Sequence, residues 1–260
     1  MHEKVTAPKI RSMKGGRIVC VTAYDAPTAK VADTAGVDLI LVGDSVGNVV
    51  LGYSSTLPVT LKDMVHHTAA ARRGCKRALL AADMPFGTYQ PSPDKAVESA
   101  VALVQAGAEA VKLEGDFCEA IRLLVKTGIP VMGHIGMTPQ SVHQFGGYRV
   151  QGRGKQSQAL LDLACRIEDA GAFCIVLELV PSVVAEEITA KRSIPTIGIG
   201  AGVHCDGEIQ VFHDILGLVG GHPFKHTRRF ANGYEMMVSA LKEYAEAVRD
   251  RRFPTEENSF

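Results

Sequence analysis

The chain has 260 residues, 46% of them hydrophobic, and its 28 basic residues balance its 28 acidic ones. This length and composition are typical of a globular α/β barrel, so we expect one catalytic domain over residues 1–260. The zero net charge argues against a nucleic-acid partner, and no apolar run approaches the roughly 20 residues that span a membrane. Because the N-terminal residues contain no apolar signal core, we expect a cytoplasmic protein.

The cysteines show no pattern typical of a metal module or a disulfide framework. Six of them are spread along the chain without a CxxC pair, at positions 20, 75, 118, 165, 174 and 205. We therefore expect buried free thiols.

Apolar strand-like runs alternate with amphipathic helical stretches along the chain. Strands are predicted at 17–25, 39–44, 78–85, 109–115, 130–136, 173–181, 195–202 and 210–218. Helices are predicted at 27–36, 61–74, 92–107, 117–128, 157–171 and 182–192, with a closing helix within 228–253. Eight such units in about 250 residues predict a TIM barrel, (β/α)8. A doubly wound open sheet is the alternative, but no GxGxxG motif follows the first strand.

The segment that follows the second predicted strand is the most informative loop of the chain. The buried run at 39–42 stops at Gly43, and Asp44 and Ser45 follow at once, before a stretch containing several glycines. Such a loop allows the backbone to approach a ligand closely. The alternative is an ordinary connection in which Asp44 or Ser45 caps the next helix.

Ionisable side chains recur where the other predicted strands end. In a barrel these ends meet at one face, which would bring together four carboxylates and one lysine: Asp44, Asp83, Glu114, Glu178 and Lys112. One lysine cannot balance four acids, so a cation is expected, and oxygen donors without cysteine favour Mg²⁺ or Mn²⁺ over Zn²⁺. The alternative is a set of buried ion pairs that close the barrel.

Two further features point to the same face. His134, between glycines on the fifth predicted strand, is either a buried core residue or a contact to the substrate, and we expect the contact. The long glycine-rich loop at 136–155 is typical of a lid or a binding segment, although an exposed subunit contact is an alternative.

The sequence closely resembles the ketopantoate hydroxymethyltransferase (3-methyl-2-oxobutanoate hydroxymethyltransferase) family. The matching stretches cover most of residues 20–218: TAYDAPTAK, VGDSVGNVVLGYSSTLPVTLKDMVHHTAAARRG, ADMPFGTY, AVKLEG, PVMGHIGMTPQSVHQFGGYRVQGRG, LELVP and IPTIGIGAGVHCDGEIQVFHDILG. The resemblance implies a TIM barrel of the phosphoenolpyruvate/pyruvate type, a magnesium ion and a large homo-oligomer, typically a decamer. The chain departs from the family pattern at Asp116 and Leu179, neither of which is a carried-over site residue.

Site residues are carried over position by position. The family's metal ligands correspond to Asp44, Asp83 and Glu114. Its oxoacid contacts correspond to Asp44, Ser45, Asp83 and Lys112, and its catalytic base corresponds to Glu178.

The resemblance also implies the reaction. Mg²⁺ chelates 3-methyl-2-oxobutanoate, Glu178 removes the proton from C3, and the enolate attacks the one-carbon unit of 5,10-methylenetetrahydrofolate. Water completes the hydroxymethyl group as the folate leaves, which yields ketopantoate for pantothenate and coenzyme A synthesis. Glu178 could instead assist proton transfer on the folate side. Two other functions remain open, namely a metal-dependent oxoacid lyase of the same superfamily and a non-enzymatic metabolite-binding barrel.

Overall fold

The computed structural model of the chain describes residues 3–221 and 224–260. Within them, eight parallel strands pair in sequence order and close into a barrel in which β8 pairs with β1. The strands are β1 Ile18–Thr22, β2 Leu39–Val42, β3 Leu79–Asp83, β4 Ala110–Glu114, β5 Val131–Gly136, β6 Cys174–Glu178, β7 Thr196–Ile199 and β8 Gly207–Gln210. The predicted (β/α)8 barrel is confirmed.

Among the described residues, helices lie in each connection between successive strands except that from β7 to β8, and also before β1 and after β8. They are α1 Ala7–Ser12, α2 Ala26–Thr34, α3 Val46–Val49, α4 Leu61–Gly74, α5 Pro93–Gln105, α6 Cys118–Lys126, α7 Val142–Phe145, α8 Gln156–Asp169, α9 Ser182–Lys191, α10 Phe212–Ile215 and α11 Gly233–Arg249. Short 3₁₀ turns lie at Pro139–Ser141 and Glu256–Asn258. In the part of the chain that the structure describes, no helix is long and apolar enough to cross a membrane.

Local sequence signals explain where the helices begin. The side chain of Thr60 accepts from the backbone N–H of Asp63 while the Asp63 carboxylate accepts from the N–H of Thr60, a reciprocal cap that starts α4. Ser92 caps α5, and Pro93 occupies its first turn, where the missing N–H costs nothing. Strands β2, β3 and β4 are buried along their whole length, which explains why they appear as continuous apolar runs.

One apolar cluster of the core lies at the amino-terminal end of the barrel. Helix α1 contributes Ala7 and Ile10 to a cluster with Leu39 and Leu79, which lie at the starts of β2 and β3. Ion pairs join the segments around α1 to residues just before two other strands: Lys4 to Glu109 at 2.6 Å and Lys14 to Asp206 at 2.8 Å. This end of the barrel is therefore packed for stability.

The predicted eighth strand at 210–218 is wrong. The strand is β8, Gly207–Gln210, and the short helix α10, Phe212–Ile215, follows it. Phe212, Ile215 and Leu216 are three and four residues apart, which is a helical spacing, and a short apolar run does not distinguish a buried strand from a helix. Gly207 permits the early pairing, because a Cβ there would lie 2.5 Å from the carbonyl oxygen of Ile18.

The chain divides into two compact units. Met1–Val211 contains the barrel, and Phe212–Phe260 contains α10, α11 and the final 3₁₀ turn. The expectation of one domain over the whole chain stays a prediction. All six cysteines are free, and five are buried; Cys165 is partly exposed.

Candidate active site

Charged residues predicted at the strand ends lie in one layer at the carboxyl-terminal mouth of the barrel. Asp83 on β3 lies beside Lys112 on β4, and Glu114, two residues further along β4, lies beside His134 on β5. Alternate residues of a strand point to the same side, which places Lys112 and Glu114 on one face. All four residues are buried. The topology therefore brings together side chains that are far apart in the sequence.

Asp44 and Ser45, which follow β2, lie beside this layer. The backbone N–H of Asp44 donates to Oδ2 of Asp83 at 3.0 Å, and Oγ of Ser45 lies 2.8 Å from the hydroxyl oxygen of Tyr24. Gly43 leaves room for this arrangement, because a Cβ there would lie 2.7 Å from Oγ of Ser45. Ser45 occupies the N-cap position of α3 but makes no side-chain capping bond. The segment is therefore arranged toward the barrel mouth rather than toward the following helix.

Lys112 is the cation at the centre of the layer. Its Nζ donates to Oδ1 of Asp83 and lies 3.7 Å from Oε1 of Glu114. Burial opposes the charge on this amine, but the negative charges of Asp83, Glu114 and Asp44 together raise the pKa of Lys112 above its ordinary value. Lys112 therefore keeps its proton and acts as a fixed positive charge.

The three buried carboxylates differ in how they respond to this environment. Burial raises the pKa of Asp44 well above its ordinary value, and the charges of Asp83 and Glu114 raise it further. Burial also raises the pKa of Asp83, although Lys112 opposes the shift. Burial also raises the pKa of Glu114, but His134 and Lys112 outweigh burial, so the pKa of this carboxyl is lowered overall. When ionised, these three carboxylates therefore carry more negative charge than the side chains of Lys112 and His134 neutralise.

His134 lies between two of the predicted site residues. Its Nδ1 is 3.3 Å from Oε1 of Glu114, and its Nε2 is 3.4 Å from Oε2 of Glu178. Burial and Lys112 lower the pKa of His134, but the two carboxylates outweigh them and raise it to about 9. The imidazole is therefore a charged link between Glu114 and Glu178.

Glu178 ends β6 and is more accessible than the other acids. Its side chain is 16% exposed, against 2% for Glu114 and 3% for Asp83. Leu179, the next residue, has a φ of 46°, a left-handed conformation that costs a non-glycine residue about 1–2 kcal/mol. Gly136 at the end of β5 allows β6 to approach, because a Cβ there would lie 2.3 Å from the carbonyl oxygen of Glu178. This carboxylate lies where a ligand in the barrel mouth can reach it.

Two residues of the site were not predicted from the sequence. Gln140, in the 3₁₀ turn of the long loop after β5, is buried, and its Nε2 donates to Oδ2 of Asp44 at 2.9 Å. Tyr89, in the loop after β3, donates from its hydroxyl to Oε1 of Gln140 at 2.7 Å. Neither has a signal of its own in the sequence, because a neutral polar residue in a loop becomes informative only when the path of the loop is known. The loop itself was predicted to be a lid or a binding segment.

The donor chemistry of the layer suits a hard divalent cation. Asp44, Asp83 and Glu114 place buried carboxylates around one region with excess negative charge, and Mg²⁺ is usually held by one or two carboxylates together with substrate oxygens and water. Between residues 3 and 260, leaving out 222 and 223, no three His, Cys, Asp or Glu side chains are arranged as a ready metal cage. The oxygen donors of Asp44, Asp83 and Glu114 nevertheless fit a hard divalent cation by their chemistry.

Comparison with known proteins gives a family and a set of close relatives. A family model described as ketopantoate hydroxymethyltransferase matches residues 4–256. A protein of Aeropyrum pernix named 3-methyl-2-oxobutanoate hydroxymethyltransferase is 56% identical over 265 residues, covering 98% of this chain and 94% of the relative. A protein of the same name from Thermotoga neapolitana is 54% identical over 256 residues, covering 97% and 95%.

Solved structures with a similar fold are much more distant in sequence. A phosphonopyruvate hydrolase in complex with oxalate and Mg²⁺ has a TM-score of 0.62 at 13% identity and covers 97% of this chain and 93% of that chain. A 2,3-dimethylmalate lyase of the PEP mutase/isocitrate lyase superfamily has a TM-score of 0.60 at 17% identity, with coverages of 98% and 91%. At these identities the likeness concerns the fold alone, and it agrees with the closed parallel barrel of this chain.

Proposed function

The chain belongs to the ketopantoate hydroxymethyltransferase family, and we propose that it transfers a hydroxymethyl group from 5,10-methylenetetrahydrofolate to 3-methyl-2-oxobutanoate. The product is 2-dehydropantoate (ketopantoate), an intermediate of pantothenate and coenzyme A synthesis. Membership of the family makes the chain a hydroxymethyltransferase, which replaces the lyase and the non-enzymatic alternatives. One observation carries the proposed chemistry: the accessible carboxylate of Glu178 lies 3.4 Å from His134, next to the buried acids and lysine.

A divalent cation completes the proposed site. Asp44, Asp83 and Glu114 would hold Mg²⁺, or Mn²⁺, which supplies a Lewis acid for the charge that develops on the oxoacid. Their buried excess of negative charge supports this proposal, as does the Mg²⁺ in the complex of the distant phosphonopyruvate hydrolase.

Ser45 and Lys112 bind the oxoacid in this proposal. The Nζ of Lys112 keeps its proton because of Asp83, so it offers a permanent positive charge to the carboxylate or keto oxygen of the substrate. The hydroxyl of Ser45, held by Tyr24 at 2.8 Å, offers a hydrogen bond to the same oxygens. Together with Asp44 and Asp83, these groups fix C3 of the substrate in one position, which favours removal of a single proton.

Glu178 is the proposed base for the C3 proton. Its carboxylate is accessible and lies 3.4 Å from the positively charged ring of His134. In the same position His134 would also contact the substrate. The alternative is that Glu178 assists proton transfer on the folate side, after the new carbon–carbon bond has formed.

Exchange of the C3 proton separates these two roles of Glu178. The substrate is followed by NMR in deuterated water with Mg²⁺ and without folate, using the wild-type chain, Glu178→Gln, and Glu187→Gln as a control from the exposed side of α9. We expect metal-dependent exchange in the wild type and the control, and a loss of about 10²–10⁴-fold in Glu178→Gln. Near-normal exchange in Glu178→Gln would contradict the base assignment and favour the folate side.

We also propose that the chain forms a homo-oligomer, a decamer by its family resemblance, and that it works in the cytoplasm. The support within the chain is α11, where apolar side chains recur at alternating spacings of three and four residues. All of them are exposed: Tyr234, Met237, Leu241, Tyr244 and Val248. A helix with such a stripe usually packs against a partner.

A further inference from the structure

Gln140, in the loop after β5, contacts three other parts of the barrel mouth: Asp44 after β2, the loop after β3, and Glu114 at the end of β4. Its Nε2 donates to Oδ2 of Asp44 at 2.9 Å and to the carbonyl oxygen of Met84 at 3.0 Å, and its backbone N–H donates to Oε2 of Glu114 at 3.0 Å. Its Oε1 accepts from the hydroxyl of Tyr89 at 2.7 Å and from Nε2 of Gln90 at 3.0 Å. Gln140 is 6% exposed, so these bonds form out of water, where they are strong and costly to lose.

We propose that Gln140 is a positioning residue for the reaction. Its side chain fixes Oδ2 of Asp44 and its backbone N–H fixes Oε2 of Glu114, so that each carboxylate is held in one orientation toward the site of the cation. This inference rests on the proposed function, because it assigns a role to Gln140 through the carboxylates that would bind Mg²⁺. Second-layer hydrogen bonds of this kind set the orientation of metal-binding carboxylates.

Only an amide at position 140 can make these contacts together. It must donate to Asp44 and accept from Tyr89, and a carboxylate in its place would put two negative acceptors 2.9 Å apart. An apolar side chain of the same length would leave the buried Asp44 oxygen and the Tyr89 hydroxyl without these partners. The chemistry of the surroundings therefore selects glutamine.

Tyr89 decides which way the amide faces. Its ring packs edge-on against Phe117, with the ring centres 5.1 Å apart, and its hydroxyl also accepts from the backbone N–H of Glu114 at 3.1 Å. Because that hydroxyl is held in place, Oε1 of Gln140 turns toward Tyr89 and Nε2 turns toward Asp44. The loop after β3 thus orients a residue of the loop after β5, and that residue contacts Asp44 and Glu114.

The test compares Gln140→Met, Tyr89→Phe and a control. Gln140→Met keeps the length of the side chain without its polar atoms, and Tyr89→Phe removes the anchoring hydroxyl alone. The control is Gln158→Met, because Gln158 also donates its amide to an aspartate, Asp162 at 2.8 Å, but does so on the exposed surface of α8. The Kd for Mg²⁺ is measured by calorimetry without oxoacid, and C3 exchange is measured by NMR with saturating oxoacid.

We expect Gln140→Met to weaken Mg²⁺ binding by 10–100-fold and to lower the exchange rate by a similar factor, with Tyr89→Phe shifted less in the same direction. The Kd is the decisive readout, because partial unfolding lowers the amount of Mg²⁺ bound but leaves the Kd of the folded fraction unchanged. If Gln140→Met does not fold, Tyr89→Phe alone decides.

The inference is overturned if Gln140→Met folds and both its Kd for Mg²⁺ and its exchange rate stay within twofold of the wild type. If Gln140→Met does not fold, an unchanged Kd for Mg²⁺ in Tyr89→Phe overturns it. A wild-type chain that neither binds Mg²⁺ nor exchanges the proton would overturn the proposed function as well. The two failures are therefore distinguishable.

Discussion

Asp44 and Asp83 are both buried acids of the same layer, yet their partners differ. Asp83 accepts from the ammonium group of Lys112, whereas Asp44 accepts from the neutral amide of Gln140 and faces the charges of Asp83 and Glu114. A buried charge without a counter-ion is expensive, and removing one partner of a buried ion pair leaves the other uncompensated. The two aspartates should therefore contribute to stability with opposite signs in the absence of metal.

Replacing each aspartate by asparagine tests this difference. We expect Asp44→Asn to raise the free energy of unfolding of the metal-free chain by about 1 kcal/mol, because a repelled charge disappears while its hydrogen bond remains. Asp83→Asn should lower it by about 3 kcal/mol, because Lys112 loses its counter-ion. Urea unfolding at pH 8 with a chelator measures both values. A more stable Asp83→Asn than Asp44→Asn would contradict the assignment of partners.

Site residues that lie on a strand were predictable from the sequence, whereas those further from a strand were not. Asp83, Lys112 and Glu114 belong to buried strands, so the strand pattern alone placed them at the barrel mouth. Gln140 lies four residues beyond the end of β5, and nothing in the neighbouring sequence indicates that its loop folds back over Asp44. Loops bring residues together through tertiary contacts that periodicity does not contain.

At the level of elements, the strands and long helices were predictable because each repeats one pattern over several turns or residues. Predicted helix 61–74 coincides with α4, whose N-terminal cap is visible in the sequence. The error at 210–218 arose where a four-residue strand is followed by a four-residue helix, since neither is long enough to show a period. Short elements are decided by their surroundings.

Helix α11 carries an expectation of its own. Tyr234, Met237, Leu241, Tyr244 and Val248 lie within one narrow face of the helix. If this face packs against another copy, the double variant Leu241→Glu/Tyr244→Glu should lower the mass of the particle measured by light scattering, because charges would be buried at the contact. Ser239→Glu, on the opposite face, is the control and should keep the wild-type mass. An unchanged mass in the double variant would remove α11 from the interface.

For the whole barrel, stability and chemistry are concentrated at opposite ends. The amino-terminal end contains the apolar cluster around Ile10 and the ion pairs of Lys4 and Lys14, whereas the carboxyl-terminal end contains the buried acids and His134. Burial of charged groups at the mouth therefore destabilises the fold, and the packing at the opposite end offsets this loss. This division also makes the stability of the metal-free chain dependent on pH.

The raised pKa of His134 sets the sign of that dependence. A group whose pKa rises on folding stabilises the folded chain below its unfolded pKa, about 6.5 for histidine, and loses this contribution as the pH rises through the folded value of about 9. The raised pKa values of Asp44 and Asp83 act in the same direction from about pH 4 upward. We expect the free energy of unfolding with a chelator to fall by about 2–3 kcal/mol between pH 6.5 and pH 9.

Two histidine variants test whether His134 causes this fall in the free energy of unfolding. His134→Asn should flatten the curve between pH 6.5 and pH 9, whereas His204→Asn, a histidine whose side chain is 46% exposed, should leave it unchanged. Stability that stays constant over this interval in the wild type would contradict the charged state of His134.

The contact between Lys112 and Asp83 also decides against covalent activation of the oxoacid. An amine attacks a keto carbon only after losing its proton, and Asp83 keeps that proton on Lys112. No Schiff base should form, so incubation with 3-methyl-2-oxobutanoate and sodium cyanoborohydride should leave the mass of the chain unchanged. In Asp83→Asn, where the buried amine loses its strongest partner, a reduced adduct on Lys112 becomes possible. One carboxylate therefore keeps this barrel from the imine chemistry that a buried lysine otherwise invites.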